Sequence, residues 1–166
     1  MKSFFHRTIY FVLFFSCHFV FGQGKKLSYY DSLGIMPSFR FYQLNGYPFT
    51  PDSLLHKKLT VLIYIRTDCP FCEKEAEVIS KNMNEFESIN FIFITRSDSA
   101  DVMQFAKAHK LENNSNVKFL QDKEKIYYKI FTASMTPSIH IYDRKRNLKL
   151  FTEGFLSKDE LLKYIH

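Results

Sequence analysis

The apolar residues of this chain follow two periods, and their alternation predicts strands separated by helices. Residues 59–65, "LTVLIYI", and 89–95, "INFIFIT", are continuous apolar runs rich in branched side chains, as in buried parallel strands. Between them, apolar residues recur at spacings of 4, 3, 4 and 3, which predicts one helix face: Cys72, Ala76, Ile79, Met83 and Phe86. This part of the chain is therefore predicted to be a β-α-β unit.

The pattern continues toward the C-terminus and then changes. Residues 97–110 predict a helix, 117–122 a short strand and 123–131 a short helix. Beyond them, 138–143 and 147–154 alternate between apolar and polar residues, so they predict an antiparallel hairpin. The resulting order is β-α-β-α-β-α-β-β, and a mixed central sheet in an α/β fold is the expected outcome.

Both ends of the predicted domain carry local signals. Residues 38–44 alternate weakly, which predicts an edge strand, and the Asn45-Gly46 pair after them is a strong turn signal. At the other end, Ser157 and Glu160 have the spacing of a capping box that starts a last helix.

The first 22 residues differ from the rest and predict a secretory signal. A start with Lys2 and Arg7 precedes 15 apolar or uncharged residues, which is short for a membrane span. Val20 and Gly22 suit cleavage before Gln23, so we expect a signal at 1–22, a leader at 23–35 and a domain at 36–166. Two alternatives stay open: an uncut membrane anchor, and lipid attachment at Cys17, although "FFSC" lacks the usual preceding Leu.

The charge of the chain indicates no nucleic-acid partner. The net charge is +6, and removal of residues 1–22 leaves 21 Lys and Arg against 17 Asp and Glu. The densest cationic run, Arg144–Arg146, falls in the predicted hairpin turn, where solvated charges are expected. No basic stripe with interleaved aromatic residues is present.

The motif "DCPFCEKE" places two cysteines between a buried strand and a helix. Pro70 suits the first helical position, so Cys69 would lie at the helix N-terminus, where backbone N–H groups favour the thiolate form. Cys72 begins the apolar stripe and should be shielded. A zinc site needs about four ligands, and a purely structural disulfide would close a very short loop. These points argue against a zinc site and a structural disulfide. A redox-active pair is favoured, also because an exported thiol pair meets oxidising conditions.

Together with a second motif, the cysteine pair resembles a known family. "VLIYIRTDCPFCEKE" and "MTPSIHIYDRKRNLKLFTEG" are similar to the thioredoxin superfamily, and specifically to TlpA/ResA-like exported thiol–disulfide oxidoreductases. "PSFRFYQLNGYPFTPDSL" resembles that family's N-terminal hairpin, and the cysteine-to-Pro137 spacing implies a helix–strand unit inserted at about 97–122. The resemblance implies a thioredoxin-like fold and covers nearly all of residues 36–166.

The resemblance also implies roles for individual residues. Cys69 would attack, Cys72 would resolve, and the pair would cycle through a Cys69–Cys72 disulfide. Thr136 and a cis Pro137 would lie opposite the cysteines, where the Thr136 backbone would pair with an extended client chain. Pro70 and Phe71 are expected to border that client. The implied partners are protein thiols and disulfides and a membrane or exported protein that recycles the pair in the periplasm; no cofactor or metal is implied.

Two positions depart from the family pattern. Asp68 stands where the family commonly has Trp, and its carboxylate should oppose thiolate formation at Cys69 unless Arg66 offsets it. Ile63 stands where thioredoxins carry a buried acid that assists the resolving cysteine. Glu73 or Glu75 could substitute as proton acceptor, but the sequence favours solvated helix charges for both.

Two other functions are compatible with such a fold. A peroxidase would carry Pro-x-x-x-Thr/Ser-x-x-Cys, but Leu62 and Arg66 occupy the Pro and Thr positions. A copper-binding module would combine Cys69 and Cys72 with a distant His, for which His140 is the candidate. An alternating strand residue is the favoured interpretation of His140.

Overall fold

The computed structural model describes residues 34–54 and 58–165. The predicted signal and all but the last residues of the predicted leader lie outside the described residues, as do Cys17, His56 and His166. Within the described part, seven strands form one mixed sheet in the order β2-β1-β5-β4-β3-β6-β7. The predicted α/β class with a mixed central sheet is confirmed.

The strands agree closely with the hydrophobic pattern. Their bounds are β1 Phe41–Gln43, β2 Pro48–Phe49, β3 Leu59–Ile65, β4 Ile89–Thr95, β5 Val117–Gln121, β6 Ser138–Tyr142 and β7 Leu148–Glu153. The pairs β3–β4 and β4–β5 are parallel, whereas β6 is antiparallel to both β3 and β7. The start of β6 therefore lies at the same sheet edge as the end of β3.

Four helices accompany the sheet in the described residues: α1 Pro70–Lys81, α2 Ser99–Ala108, α3 Tyr127–Phe131 and α4 Lys158–Ile165. Buried residues of α1, α2 and α4 pack with Val61, Ile63 and Ile65 on one face of the sheet. On the other face, α3 and the N-terminal segment pack with Leu62 and Tyr64. Alternate side chains of β3 thus serve two separate cores, which explains its continuous apolar run.

Two boundaries differ from the sequence prediction. The stripe through Phe86 is not one helix, because α1 ends at Lys81 and residues Met83–Phe86 form a 3₁₀ turn. The helix predicted at 123–131 begins only at Tyr127, since the Asp122 carboxylate accepts hydrogen bonds from the N–H groups of Ile126 and Tyr127. This side chain replaces a helical turn at the start of α3.

The N-terminal hairpin is present, but β1 is not the edge strand that the sequence predicted. β1 pairs with both β2 and β5, so the two-residue β2 lies at the edge. Gly46 in the connecting turn has a φ of +90°, a conformation that glycine adopts without strain. The weak alternation at 38–44 reflects burial of Phe39 and Phe41 beside exposed Arg40.

None of the helices within 34–54 and 58–165 has the length and apolar content needed to cross a membrane.

Candidate active site

Cys69 lies at the sheet edge where β3 ends and α1 begins. It is the N-cap of α1 in an extended conformation, and Pro70 is the first helical residue, as predicted. Its Sγ accepts a hydrogen bond from the Cys72 backbone N–H at 3.3 Å. A sulfur held at this place receives a free helix N–H and the positive end of the helix dipole, which together favour a thiolate.

The two sulfurs differ in their access to solvent. Both cysteines are thiols in this structure; Cys69 is half-buried, whereas Cys72 is 0% exposed and packs in the α1-side core with Ile63 and Ile139. Burial, together with the neighbouring Cys69 sulfur, raises the pKa of the Cys72 thiol well above its usual range. The pair is therefore chemically asymmetric: only Cys69 can meet a partner, and Cys72 needs help to lose its proton.

Thr136 and Pro137 lie across from the cysteines, as the family resemblance implied. The Thr136–Pro137 peptide bond is cis. The Thr136 carbonyl oxygen lies 3.8 Å from Cys69 Sγ, and the Thr136 hydroxyl lies 3.9 Å from the same sulfur. Because these atoms belong to the segment that leads into β6, the structure brings together the two sequence motifs that are 67 residues apart.

Three exposed apolar side chains belong to the segments around the pair. Phe71, between the cysteines, is 57% exposed, and Met135, directly before Thr136, is 53% exposed. Phe155 is 37% exposed, and its two neighbours reach the site: Gly154 N–H donates to the Pro137 carbonyl, and Leu156 N–H donates to the Glu75 carboxylate. The sequence marks Phe71 alone, since nothing in the local pattern marks Met135 or Phe155 as exposed.

Arg66 and Asp68 form an ion pair immediately before Cys69. The guanidinium donates two hydrogen bonds to the carboxylate, at 2.9 and 2.6 Å, and both side chains are exposed. These hydrogen bonds lower the pKa of the Asp68 carboxyl. The Arg66 guanidinium is thus hydrogen-bonded to Asp68 rather than to the Cys69 sulfur.

We expect an Asp68→Asn variant to react faster at Cys69 with an alkylating agent at fixed neutral pH. The substitution removes an anion and releases Arg66 as a counter-charge, and an effect of about 1 kcal/mol corresponds to a roughly five-fold change. The rate is measured by mass spectrometry of the peptide containing Cys69. The control is Glu77→Gln, which breaks the exposed Lys81–Glu77 pair further along α1 and should change nothing. An unchanged or slower rate in Asp68→Asn would contradict the expected role of this ion pair.

The two glutamates considered as proton acceptors have different environments. Glu73 is exposed, as expected, whereas Glu75 is 0% exposed, so the expectation of a solvated charge at Glu75 was wrong. Its Oε2 accepts the Leu156 N–H at 2.8 Å, and its Oε1 has no hydrogen-bond partner among the described residues. Burial raises the pKa of the Glu75 carboxyl to about 8. The spacing of three from Cys72 and four to Ile79 already places Glu75 on the buried face.

His140 lies on the other face of the sheet from Cys72. Its neighbours Ile139 and Ile141 pack with Cys72, and alternation therefore directs His140 toward Tyr127 and the α3-side core. Nε2 donates to the Phe131 carbonyl at 3.2 Å, so Nδ1 accepts from the Tyr127 hydroxyl at 3.1 Å. Burial lowers the pKa of His140 to about 4.

This placement argues against a copper site made of Cys69, Cys72 and His140. Both ring nitrogens are already used, and the sheet separates the ring from Cys72. In the parts of the chain that the structure describes, no group of three His, Cys, Asp or Glu side chains is arranged to hold a metal ion.

Comparison with known proteins agrees with this geometry. Residues 53–166 match the family model described as a thioredoxin-like domain. A secreted Mycobacterium tuberculosis disulfide oxidoreductase, described as homologous to E. coli DsbE, is 25% identical with a TM-score of 0.64, covering 76% of this chain and 93% of its own. No curated protein matches the chain.

Two further structures share the fold at lower identity. DsbF of M. tuberculosis is 23% identical, with a TM-score of 0.65, and the match covers 76% of this chain and 92% of DsbF. StoA of Bacillus subtilis is 16% identical, with a TM-score of 0.61, and the match covers 80% of this chain and 99% of StoA.

Proposed function

The chain belongs to the thioredoxin-like family, and from this we propose that it is an exported thiol–disulfide oxidoreductase that exchanges disulfides with other proteins. The observation that carries the proposal is the asymmetry of the cysteine pair. Cys69 is accessible at a helix N-terminus beside the Thr136 backbone, and Cys72 is buried behind it.

The reaction proceeds in two exchanges. The Cys69 thiolate attacks one sulfur of a client disulfide; a Cys69–client disulfide forms, and the other client sulfur leaves as a thiolate that takes up a proton. Cys72 then loses its proton and attacks the Cys69 sulfur, which releases the second client thiolate and leaves a Cys69–Cys72 disulfide. Two electrons pass from the protein dithiol to the client, and the reverse sequence oxidises a client dithiol.

The surroundings of Cys69 suit an extended client. The Thr136 backbone receives the client as an added strand, and Pro70 and Phe71 border it. Met135 and Phe155 add exposed apolar surface on the segments next to Thr136 and Pro137, so apolar residues flanking the client cysteine are favoured.

Export rests on the first 22 residues, which have the composition of a cleaved signal. A secreted relative in M. tuberculosis is consistent with this placement. A periplasmic protein of this kind needs a membrane or exported redox partner that returns the pair to its working state. Detection of the chain in the periplasmic fraction, starting at Gln23, is the direct test of export.

The function is tested by the reduction potential of the pair. The purified protein is equilibrated in defined thiol–disulfide buffers, alkylated, and analysed for the peptide that contains both cysteines. A potential near or below about −230 mV identifies a reductant, and one nearer −120 mV identifies an oxidant. Absence of any reversible two-electron couple would contradict the proposal.

A further inference from the structure

The residues immediately before Thr136 are held by a side chain rather than by a neighbouring strand. Residues 132–137 connect α3 to β6, and Ser134 and Met135 within them are exposed. Thr136 follows directly, and its carbonyl oxygen and hydroxyl lie 3.8 and 3.9 Å from Cys69 Sγ. The position of this segment therefore decides where a client strand can lie relative to the sulfur.

The Glu153 carboxylate, at the end of β7, accepts hydrogen bonds from several polar groups of this segment. Its Oε1 accepts hydrogen bonds from the backbone N–H of Ser134 and, at 3.2 Å, from that of Met135. The Ser134 hydroxyl lies 3.0 Å from both carboxylate oxygens. One side chain thus fixes two successive peptide groups immediately before Thr136.

The backbone beside Glu153 holds the other end of the same segment. Glu153 pairs with Ser138 in the β6–β7 register, and the Gly154 N–H donates to the Pro137 carbonyl at 2.8 Å. Thr136 is therefore held from both sides by Glu153 and Gly154. Burial opposes ionisation of Glu153, but the hydrogen bonds from Ser134 and Met135 outweigh it and lower the pKa of the carboxyl.

The geometry points to Glu153 as a positioning residue that sets the Thr136 backbone for pairing with an extended client. The inference rests on the proposed function and deepens it, since it concerns recognition of the client chain and not the chemistry of the sulfurs. Glu153 acts through the 134–135 backbone and touches neither cysteine nor client. Its loss should weaken binding of a peptide without slowing a small disulfide that makes no strand contacts.

The test compares two disulfides in single-turnover experiments with the full chain. One is an eight-residue extended peptide whose cysteine is joined to thionitrobenzoate, and the other is 5,5′-dithiobis(2-nitrobenzoate), which has no peptide backbone. In Glu153→Ala, we expect the peptide concentration for half-maximal rate to rise about ten-fold, a change of about 1.4 kcal/mol. The limiting rate and the rate with the small disulfide should stay unchanged. Glu153→Gln retains an acceptor for the two N–H groups and should restore most of the peptide binding.

The matched control is Asp143→Ala, at the opposite end of the same hairpin. The Asp143 carboxylate also accepts two backbone N–H groups, those of Lys145 and Asn147, but lies in the β6–β7 turn. It should lose thermal stability without any change in peptide binding. Glu153→Asp keeps the charge and shortens the reach, so it tests the proposal with a smaller effect if Glu153→Ala does not fold. Hydrogen exchange at Ser134 and Met135 should accelerate in the Glu153 variants alone.

The outcomes separate the two proposals. Equal peptide binding in wild type and the Glu153 variants would overturn the positioning role, as would an equal loss in Asp143→Ala or with the small disulfide. A wild-type protein that reacts with neither disulfide would instead contradict the proposed function.

Discussion

A Cys72→Ser variant is expected to remain covalently bound to its clients through a disulfide between Cys69 and a client cysteine. Cys69 keeps its accessible place at the helix N-terminus, so the first exchange still occurs. The second exchange has no sulfur to complete it, and the mixed disulfide persists. Disulfide-linked species that disappear on reduction should be seen on non-reducing gels of cells that produce the variant.

The reciprocal variant should trap nothing and should lose exchange activity to the uncatalysed rate. In Cys69→Ser, the remaining sulfur of Cys72 is fully buried and its pKa is raised by burial, so it is a poor nucleophile toward a protein. Both variants are best made with Cys17→Ser, so that uncut precursor, which has three cysteines, forms no disulfide through Cys17. The Cys69→Ser/Cys72→Ser double variant is the blank. Equal trapping by Cys69→Ser and Cys72→Ser would contradict the assignment of attacking and resolving roles.

The centre of the sheet was predictable because β3 and β4 are long, continuous apolar runs. β3 and β4 were located to the residue, since burial on both faces leaves no charged residue in either segment. The predicted start of α3 was wrong because a side chain competes with the backbone as the acceptor of N–H groups. Asp122 replaces the first turn expected of α3, and sequence periodicity does not reveal that a carboxylate will accept two N–H groups.

The cysteine pair and Thr136-Pro137 could be found from motifs, but the hydrogen-bond partners of the carboxylates around them could not. Glu153 acts through Ser134 and Met135, which are 18 or 19 residues away in sequence and meet it only through strand pairing. Glu75 had a local signal in its spacing from Cys72. The charge of Glu75 argued against its burial, because a buried carboxyl is costly unless it is protonated or hydrogen-bonded. In the structure, the Glu75 carboxylate accepts the Leu156 N–H, and the pKa of the carboxyl is raised.

Glu75 is a candidate for the acid that assists Cys72, which thioredoxins carry at the position of Ile63. Ile63 is fully buried beside Cys72, so the usual position of an assisting acid is apolar here. Glu75 lies one turn after Cys72 on the same buried face of α1, at a spacing that brings side chains within about 5–6 Å of each other at Cβ. A carboxyl with a pKa of about 8 can take the Cys72 proton and is not held permanently ionised. We propose that it is the proton acceptor of the resolving step.

The pH dependence of stability offers an independent check on the Glu75 carboxyl. Its pKa is about 8 when folded and ordinarily about 4.5, so the unfolded chain releases the proton first as pH rises. The stabilising contribution is complete below pH 4.5 and is lost as pH rises toward 8. Relative to Glu75→Gln, the wild-type free energy of unfolding should fall by about 5 kcal/mol across that window, as an upper estimate at 1.36 kcal/mol per unit.

Glu75→Gln should slow the resolving exchange by about 10²- to 10⁴-fold and leave the first exchange unchanged. Gln keeps an oxygen for the Leu156 N–H, so the loop before α4 should stay in place. With 5,5′-dithiobis(2-nitrobenzoate), attack by Cys69 releases one thionitrobenzoate and attack by Cys72 releases the second, so the two steps appear as separate phases. In wild type the second phase should accelerate as pH rises through about 8, and in Glu75→Gln that dependence should disappear.

Glu73→Gln, which removes an exposed carboxylate from the same turn, is the control and should keep both phases. If the second phase of Glu75→Gln matches that of Glu73→Gln, another group takes the proton of Cys72.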